Sequence, residues 1–253
     1  MYPEIKFNEE ITIEIFSILV TLGVVVMILM FMTRAIKKYH YNEMSVYFAV
    51  QMLMIALVVG YVGAIFFDAL FKIPDNGEFV LKGATFYGGL IAGVPTFVLL
   101  MSLFDKSSTK TIDWLNILAP CMVIGHMFGR IGCFLGGCCY GKETDSWLGV
   151  TFPHGSPAHT EHGGLVNVFP TQLFEAVGLF IIFIIMVKIV KKNQFIFYLI
   201  SYGITRFIIE FFRGDDRGSL FVWLSPAQTI SLLLIGLGIT MSILDYKKNH
   251  QFK

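Results

Sequence analysis

Residues Ile15 to Thr33 read IFSILVTLGVVVMILMFMT, nineteen residues without a single charge. About 20 apolar residues at 1.5 Å of helical rise each cross a hydrocarbon layer, so this run is expected to be a permanent membrane helix. Working outward, the same hydropathy reading gives seven spans, at about 14–33, 46–71, 85–104, 113–135, 171–190, 195–212 and 225–245. The expected fold is all-α: a polytopic membrane protein of about seven transmembrane helices, forming a single domain over residues 1–253.

Composition agrees. The 253 residues are 55% hydrophobic and only 15% charged, with a mean hydropathy of +0.70, whereas a soluble domain is about 25% charged. A net charge of +1 leaves no basic face for nucleic acid. The first fifteen residues set Glu4, Glu9, Glu10 and Glu14 against Lys6, the reverse of a basic signal-peptide start, so no cleavable leader is expected. With the N-terminus outside, inner segments would hold eleven cations (Arg34, Lys37, Lys38, Lys106, Lys110, Lys188, Lys191, Lys192, Lys247, Lys248 and Lys253). Outer segments would hold six (Lys6, Lys72, Lys82, Lys142, Arg213 and Arg217), which favours the N-terminus outside and the C-terminus cytoplasmic. The longest connection, about 141–170, then falls on the outer face as a functional or disordered loop. No internal repeat or low-complexity tract is visible.

Two of the five arginines, Arg130 and Arg206, lie inside apolar spans, at about 2.5–3.5 kcal/mol each near a bilayer centre. Arg206 and Glu210 are four apart and can pair on one helix, which alone would be a structural ion pair. Yet Tyr202, Arg206, Glu210 and Arg213 recur at spacings of four, four and three, placing a hydroxyl, two guanidiniums and a carboxylate on one stripe. That set suits an anionic ligand at membrane depth, with the arginine fork matched to phosphate oxygens.

The stretch from Gly129 through Arg130, Gly132, Cys133, Gly136, Gly137, Cys138, Cys139 and Tyr140 to Gly141 has five glycines in thirteen residues. It reads either as backbone lining a cavity or as a small-residue packing face. Two further elements are Tyr87-Gly88-Gly89-Leu90 opening the third span and Phe169-Pro170-Thr171-Gln172-Leu173-Phe174-Glu175 opening the fifth. Taken alone, Glu175 reads as a capping carboxylate. Cys121, Cys133, Cys138 and Cys139 lack closed zinc-site spacing, so they are expected to be packing residues, with no metal and no cofactor. Asp215, Asp216 and Arg217 read as a solvated turn, and Ser225-Pro226-Ala227-Gln228 as the start of the last helix, where Gln228 is ambiguous.

These elements, in this order, resemble the prolipoprotein diacylglyceryl transferase family. The resemblance rests on Phe86 to Leu90, Gly129 to Gly141, Pro170 to Glu175, Tyr202 to Arg213 and Gln228, and covers residues 46–245. It implies a seven-helix bacterial inner-membrane enzyme that moves diacylglyceryl from phosphatidylglycerol to the lipobox cysteine thiol of a lipoprotein precursor's signal peptide, releasing glycerol phosphate. It further implies that Arg130 and Arg206 handle the lipid phosphate, that Tyr202 and Glu210 support them with Tyr87 at the catalytic position, and that Gly88, Gly89, Gly141, Gln172 and Glu175 bind substrate. A monomer is expected.

Four positions depart from the family pattern. Tyr87 stands where the family has His, Cys133 and Gly136 where it has Asn, and Cys138 where it has Glu. The His is a candidate for helping to deprotonate the thiol, and a tyrosine with pKa near 10 is a poor base; His126 and Glu175 are candidate replacements. A divergent, cysteine-containing branch is therefore expected. The rival readings are a changed acceptor, a covalent Cys133 or Cys138 intermediate, and a non-catalytic lipid-binding or transport role.

Overall fold

The computed structural model describes residues 4–6, 12–76, 81, 83–105, 107, 109–162, 164–214 and 224–250. Asp215, Asp216 and Arg217 lie outside the described residues. Two three-residue strands, β1 (Glu4–Lys6) and β2 (Thr12–Glu14), pair antiparallel ahead of α1 (Ile15–Thr33), which runs on into a π-helical turn, Arg34–Lys38. There follow α2 (Glu43–Asn76), α3 (Phe86–Phe104), α4 (Thr111–Gly136), β3 (Val150–Thr151), α5 (Pro157–His162), β4 (Asn167–Val168), α6 (Thr171–Lys188), α7 (Gln194–Glu210) and α8 (Pro226–His250).

Each expected span coincides with one of these helices to within a few residues. Among the described residues, six helices are long and apolar enough to cross a membrane: Ile15–Lys38, Glu43–Leu70, Phe86–Phe104, Thr111–Gly136, Thr171–Lys188 and Pro226–Lys248. The remaining long helix, α7, has 17 residues, and its last turn and a half includes Arg206 and Glu210.

α4 is the axial element, packed against α1, α6 and α7, while α2 pairs with α3 and α7 with α8. The α2–α3 seam is built from small residues: a Cβ on Gly88 would lie 2.7 Å from Phe67 Cβ and 2.8 Å from the Gly63 carbonyl oxygen. Only glycine lets the two backbones come this close, as membrane helix pairs often require. Trp114, Ile117, Leu118, Phe31, Phe97 and Tyr198 fill the interior, whereas Leu29, Val58, Leu103, Val177 and Leu233 stand exposed. An apolar exterior around buried Arg130, Glu175 and Arg206 suits a bilayer solvent.

The two ends differ. At one, Arg34 Nη2 donates to Gln194 Oε1 (2.7 Å), and Gln194 Nε2 donates to the carbonyls of Met186 (2.5 Å) and Val190 (2.7 Å), tying α1, α6 and α7 together. At the other, α4 ends in a left-handed turn at Gly137 (φ 71°), where the Gly137 and Cys138 amides donate to the Phe134 and Cys133 carbonyls. The expected loop of 141–170 is a folded cap. Val150 and Thr151 pair with Val168 and Asn167, and Tyr140, Phe152, Ala158 and Val168 form a small core of their own. The all-α expectation thus holds for the bundle, while four short strands sit at its margins, where polar and apolar residues alternate over too few positions to stand out in a hydropathy profile.

Candidate active site

Six helices converge on a buried polar cluster. α4 contributes His126 and Arg130, one turn apart; α6 contributes Glu175; α7 contributes Tyr202, Arg206 and Glu210, also at one-turn spacing. α3 presents Phe86 and Tyr87 from its first turn, α8 presents Ser231, and α2 presents Asp68.

Glu175 is the hub, with no exposed side-chain surface. Its Oε1 accepts the Tyr202 hydroxyl (2.9 Å) and lies 3.1 Å from Arg130 Nε and 3.6 Å from His126 Nε2. Its Oε2 lies 3.8 Å from Arg206 Nη1. Arg206 Nη2 pairs with Glu210 Oε2 (2.5 Å), and Glu210 Oε1 accepts the Ser225 hydroxyl (2.8 Å). Ser225 in turn takes the Gln228 amide and gives its own amide to Gln228 Oε1, each at 3.2 Å, a reciprocal cap on α8. Two guanidiniums are thus balanced by two carboxylates, which is how ionised groups are tolerated away from water.

Two candidate bases are already engaged. Arg130 Nε donates to His126 Nε2 (3.2 Å), and the imidazole lies flat on Phe86, with ring centroids 3.5 Å apart and planes inclined by 7°. A nitrogen that accepts from a guanidinium offers no lone pair to a thiol. Ser231 donates to the Ala227 carbonyl (2.7 Å), so Tyr87 is the donor in its 2.7 Å bond to Ser231 Oγ.

A small, partly open pocket lies against this cluster. Arg130, Arg206, Tyr202 and Tyr87 line it together with Asp68, Thr85 and Phe86, and Pro226, Ala227 and Ile230 form an apolar flank. A wall that is cationic on one side and apolar on the other is matched to an anionic amphiphile.

The other residues singled out from sequence sit elsewhere. Gly88 and Gly89 lie in the α2–α3 seam. Gln172 Nε2 donates to the Cys138 carbonyl (2.6 Å), and Thr171 Oγ1 to the Cys139 carbonyl (2.9 Å), so the first turn of α6 grips the chain that leaves α4. Gly141 donates its amide to the Phe169 carbonyl (2.8 Å) and pairs with Arg213; a Cβ there would meet the Phe212 carbonyl oxygen at 2.6 Å. Gly141 therefore stitches the ends of α4, α6 and α7 together.

Asp68 and Ser231 escaped the sequence reading, and Ser225 was read only as the start of the last helix, which it caps. Asp68 left a signal, an acid inside an apolar run, of the same kind that exposed Arg206; a serine within a helix, such as Ser231, leaves none. The cysteines were expected to be packing residues. Cys121 is one, buried with its thiol donating to the Ile117 carbonyl (3.3 Å), but the Sγ atoms of Cys133, Cys138 and Cys139 all lie within 4.8 Å of one another, a grouping able to hold a metal ion.

Fold and site together define a multi-pass membrane protein with an arginine-lined cavity inside an apolar bundle. The family model described as prolipoprotein diacylglyceryl transferase matches residues 4–244. A phosphatidylglycerol–prolipoprotein diacylglyceryl transferase of Clostridium tetani (strain Massachusetts / E88) is 31% identical over 242 residues, 91% of this chain and 92% of that protein. Transferase 2 of the same description from Clostridium perfringens (strain 13 / Type A) is 32% identical over 241 residues, 89% of this chain and 88% of that protein. That of Acinetobacter baylyi is 32% identical over 194 residues, 70% and 68% respectively. The chain belongs to the prolipoprotein diacylglyceryl transferase family.

Proposed function

We propose that this protein transfers the diacylglyceryl group of phosphatidylglycerol to the lipobox cysteine thiol of a lipoprotein precursor, acting as a monomer in the bacterial inner membrane. The observation that supports this most directly is the placement of Arg130 and Arg206 on one cavity wall, both within ion-pair reach of the buried Glu175. Relatives of that description match most of the chain, which agrees with the reading.

In this reading the lipid phosphate enters between the two guanidiniums while the acyl chains lie along Pro226, Ala227 and Ile230 and out into the bilayer. Transfer makes a carbon–sulfur bond and breaks a carbon–oxygen bond, leaving the electron pair on a phosphate oxygen. Cationic donors already fixed by Glu175 and Glu210 meet that developing charge without reorganising, an effect worth several kcal/mol in a water-poor site. Tyr202 orients Glu175 and thereby both arginines; Tyr87 offers its hydroxyl at the cavity wall. Gln172, Gly141, Gly88 and Gly89 shape the substrate site by holding the helices that form it.

The test is transfer from phosphatidylglycerol vesicles to a lipobox peptide, read by mass spectrometry. Arg130→Ala and Arg206→Ala are each expected to lower turnover by about 100-fold or more, the usual cost of one pre-organised donor, while the protein still inserts. Unchanged turnover in both variants would refute the assignment.

A further inference from the structure

The transferase reading leaves the acceptor thiol without an assigned means of activation. Tyr87 is a donor to Ser231, His126 spends a lone pair on Arg130, and Glu175 is taken up by Arg130, Arg206 and the Tyr202 hydroxyl. A free thiol is only a few per cent ionised at neutral pH, so the attacking sulfur needs help.

Three cysteines gather just beyond Arg130, at the end of α4. Cys133 is on the last turn of α4, one turn beyond Arg130, and is buried. Past the left-handed turn at Gly137 the chain doubles back, and the Sγ atoms of Cys138 and Cys139 come within 4.8 Å of that of Cys133. Cys139 is held at φ 64°, a left-handed conformation that side-chain-bearing residues rarely adopt. Such an outlier persists only where its surroundings enforce it. Here the enforcers are Thr171, bonded to the Cys139 carbonyl, and Gln172, bonded to the Cys138 carbonyl, both at the start of the helix that holds Glu175.

We propose that Cys133, Cys138 and Cys139 form a three-thiolate zinc site whose open fourth position takes the sulfur of the acceptor cysteine. Zinc–sulfur bonds of about 2.3 Å set three sulfurs about 4 Å apart, within a small side-chain adjustment of the arrangement present. An all-sulfur donor set selects thiophilic ions over magnesium or calcium. Among the described residues, the group contains no fourth His, Cys or carboxylate, and three protein ligands with one vacancy is the pattern of a zinc ion that handles substrate. Cys138 and Cys139 are only half-buried, which leaves the vacancy approachable. Cys133 follows Arg130 by three residues on α4, about one helical turn, which sets the metal–thiolate group beside the end of the helix that carries one of the phosphate-binding arginines.

The chemistry balances without redox. On binding, the acceptor thiol gives its proton to water and becomes the fourth thiolate. Its sulfur lone pair forms the bond to the glyceryl carbon; the carbon–oxygen bond to phosphate breaks, and its electron pair leaves as an extra negative charge on glycerol phosphate between Arg130 and Arg206. The product thioether, now neutral, is a weak ligand and departs, and zinc stays divalent. The three cysteines thus take over the thiol activation for which the family's His, at the position of Tyr87, is a candidate.

The experiment uses the full chain in phosphatidylglycerol nanodiscs, titrated with cadmium alone as a spectroscopic stand-in for zinc. A thiolate-to-cadmium absorption band should saturate at one ion per protein and grow further when a cysteine-bearing lipobox peptide is added, but not with its serine analogue. Cys133→Ser and Cys139→Ser should each weaken metal binding at least 10-fold. Because either variant could misfold, the unaltered protein is also stripped with a chelator, which should lower transfer about 100-fold, with recovery on adding zinc. No band, a band indifferent to the peptide thiol, or full transfer by the stripped protein would each overturn the zinc site; in the last case the transferase reading survives. A peptide-responsive band without any diacylglyceryl adduct would instead uphold the metal–thiol site and overturn the transferase reading.

Discussion

Glu175 shows how little a residue's type says about its task. At the start of a helix it reads as a cap, yet in three dimensions it is wholly buried and within reach of Arg130, Arg206, Tyr202 and His126. Removing one partner from a buried ionic group leaves the others uncompensated, at a cost of about 3–5 kcal/mol. Glu175→Gln should therefore lower the thermal unfolding midpoint sharply in detergent as well as abolish transfer. Tyr202→Phe removes one hydroxyl and leaves Glu175 short of a donor; it should cost about 1–3 kcal/mol of stability, measured in the same unfolding assay. A Glu175→Gln protein as stable as the parent would show that the carboxylate does not anchor the arginines. The arginines themselves were legible in the sequence, because a charge inside an apolar run is costly enough to demand a reason. The partnership with Glu175 was not, since 45 residues separate it from Arg130 and only the packing of α6 on α4 brings them together.

Elements set what those residues can reach. All seven long helices were legible, because hydrophobic length is a one-dimensional property. Their seams were less so: Gly88 and Gly89 read as part of a substrate motif, and the structure places them where α3 presses on α2. Gly88→Leu should push the two helices apart and displace Tyr87, on the adjoining residue, from Ser231; the expected result is lost transfer with a lowered unfolding temperature. The first turn of α6 has a different duty. Gln172 and Thr171 fasten residues 138 and 139, so Gln172→Ala should loosen the chain between α4 and the cap. Faster hydrogen exchange at residues 137–142, with the remainder of α4 still protected, is the expected signature; uniform exchange would show that this bond is incidental. The cap escaped notice as structure because its small core forms only when residues 140, 152, 158 and 168 meet.

At the scale of the whole molecule, the number of membrane crossings turns on α7. Its 17 residues span about 26 Å at 1.5 Å each, slightly less than a hydrocarbon core of about 30 Å. Short helices are nonetheless accommodated by local thinning, at fractions of a kcal/mol per Å. Its charged residues face inward to Glu175 and Ser225 rather than to lipid, while Ile204 and Ile208 are exposed as a lipid-facing side requires. Parity makes the count decidable: six crossings put both termini on one side of the membrane, whereas seven put them on opposite sides. Seven crossings with the N-terminus outside also put the cap on the outer face, where Trp147 stands 90% exposed. An epitope inserted after Trp147 and one fused before Met1 should both be digested by protease added to intact spheroplasts, and one following Lys253 should be cut only after lysis. Digestion of both terminal tags in intact cells, or of neither, would mean that α7 does not span, and the arginine-lined cavity would then have to open on a different face of the bundle.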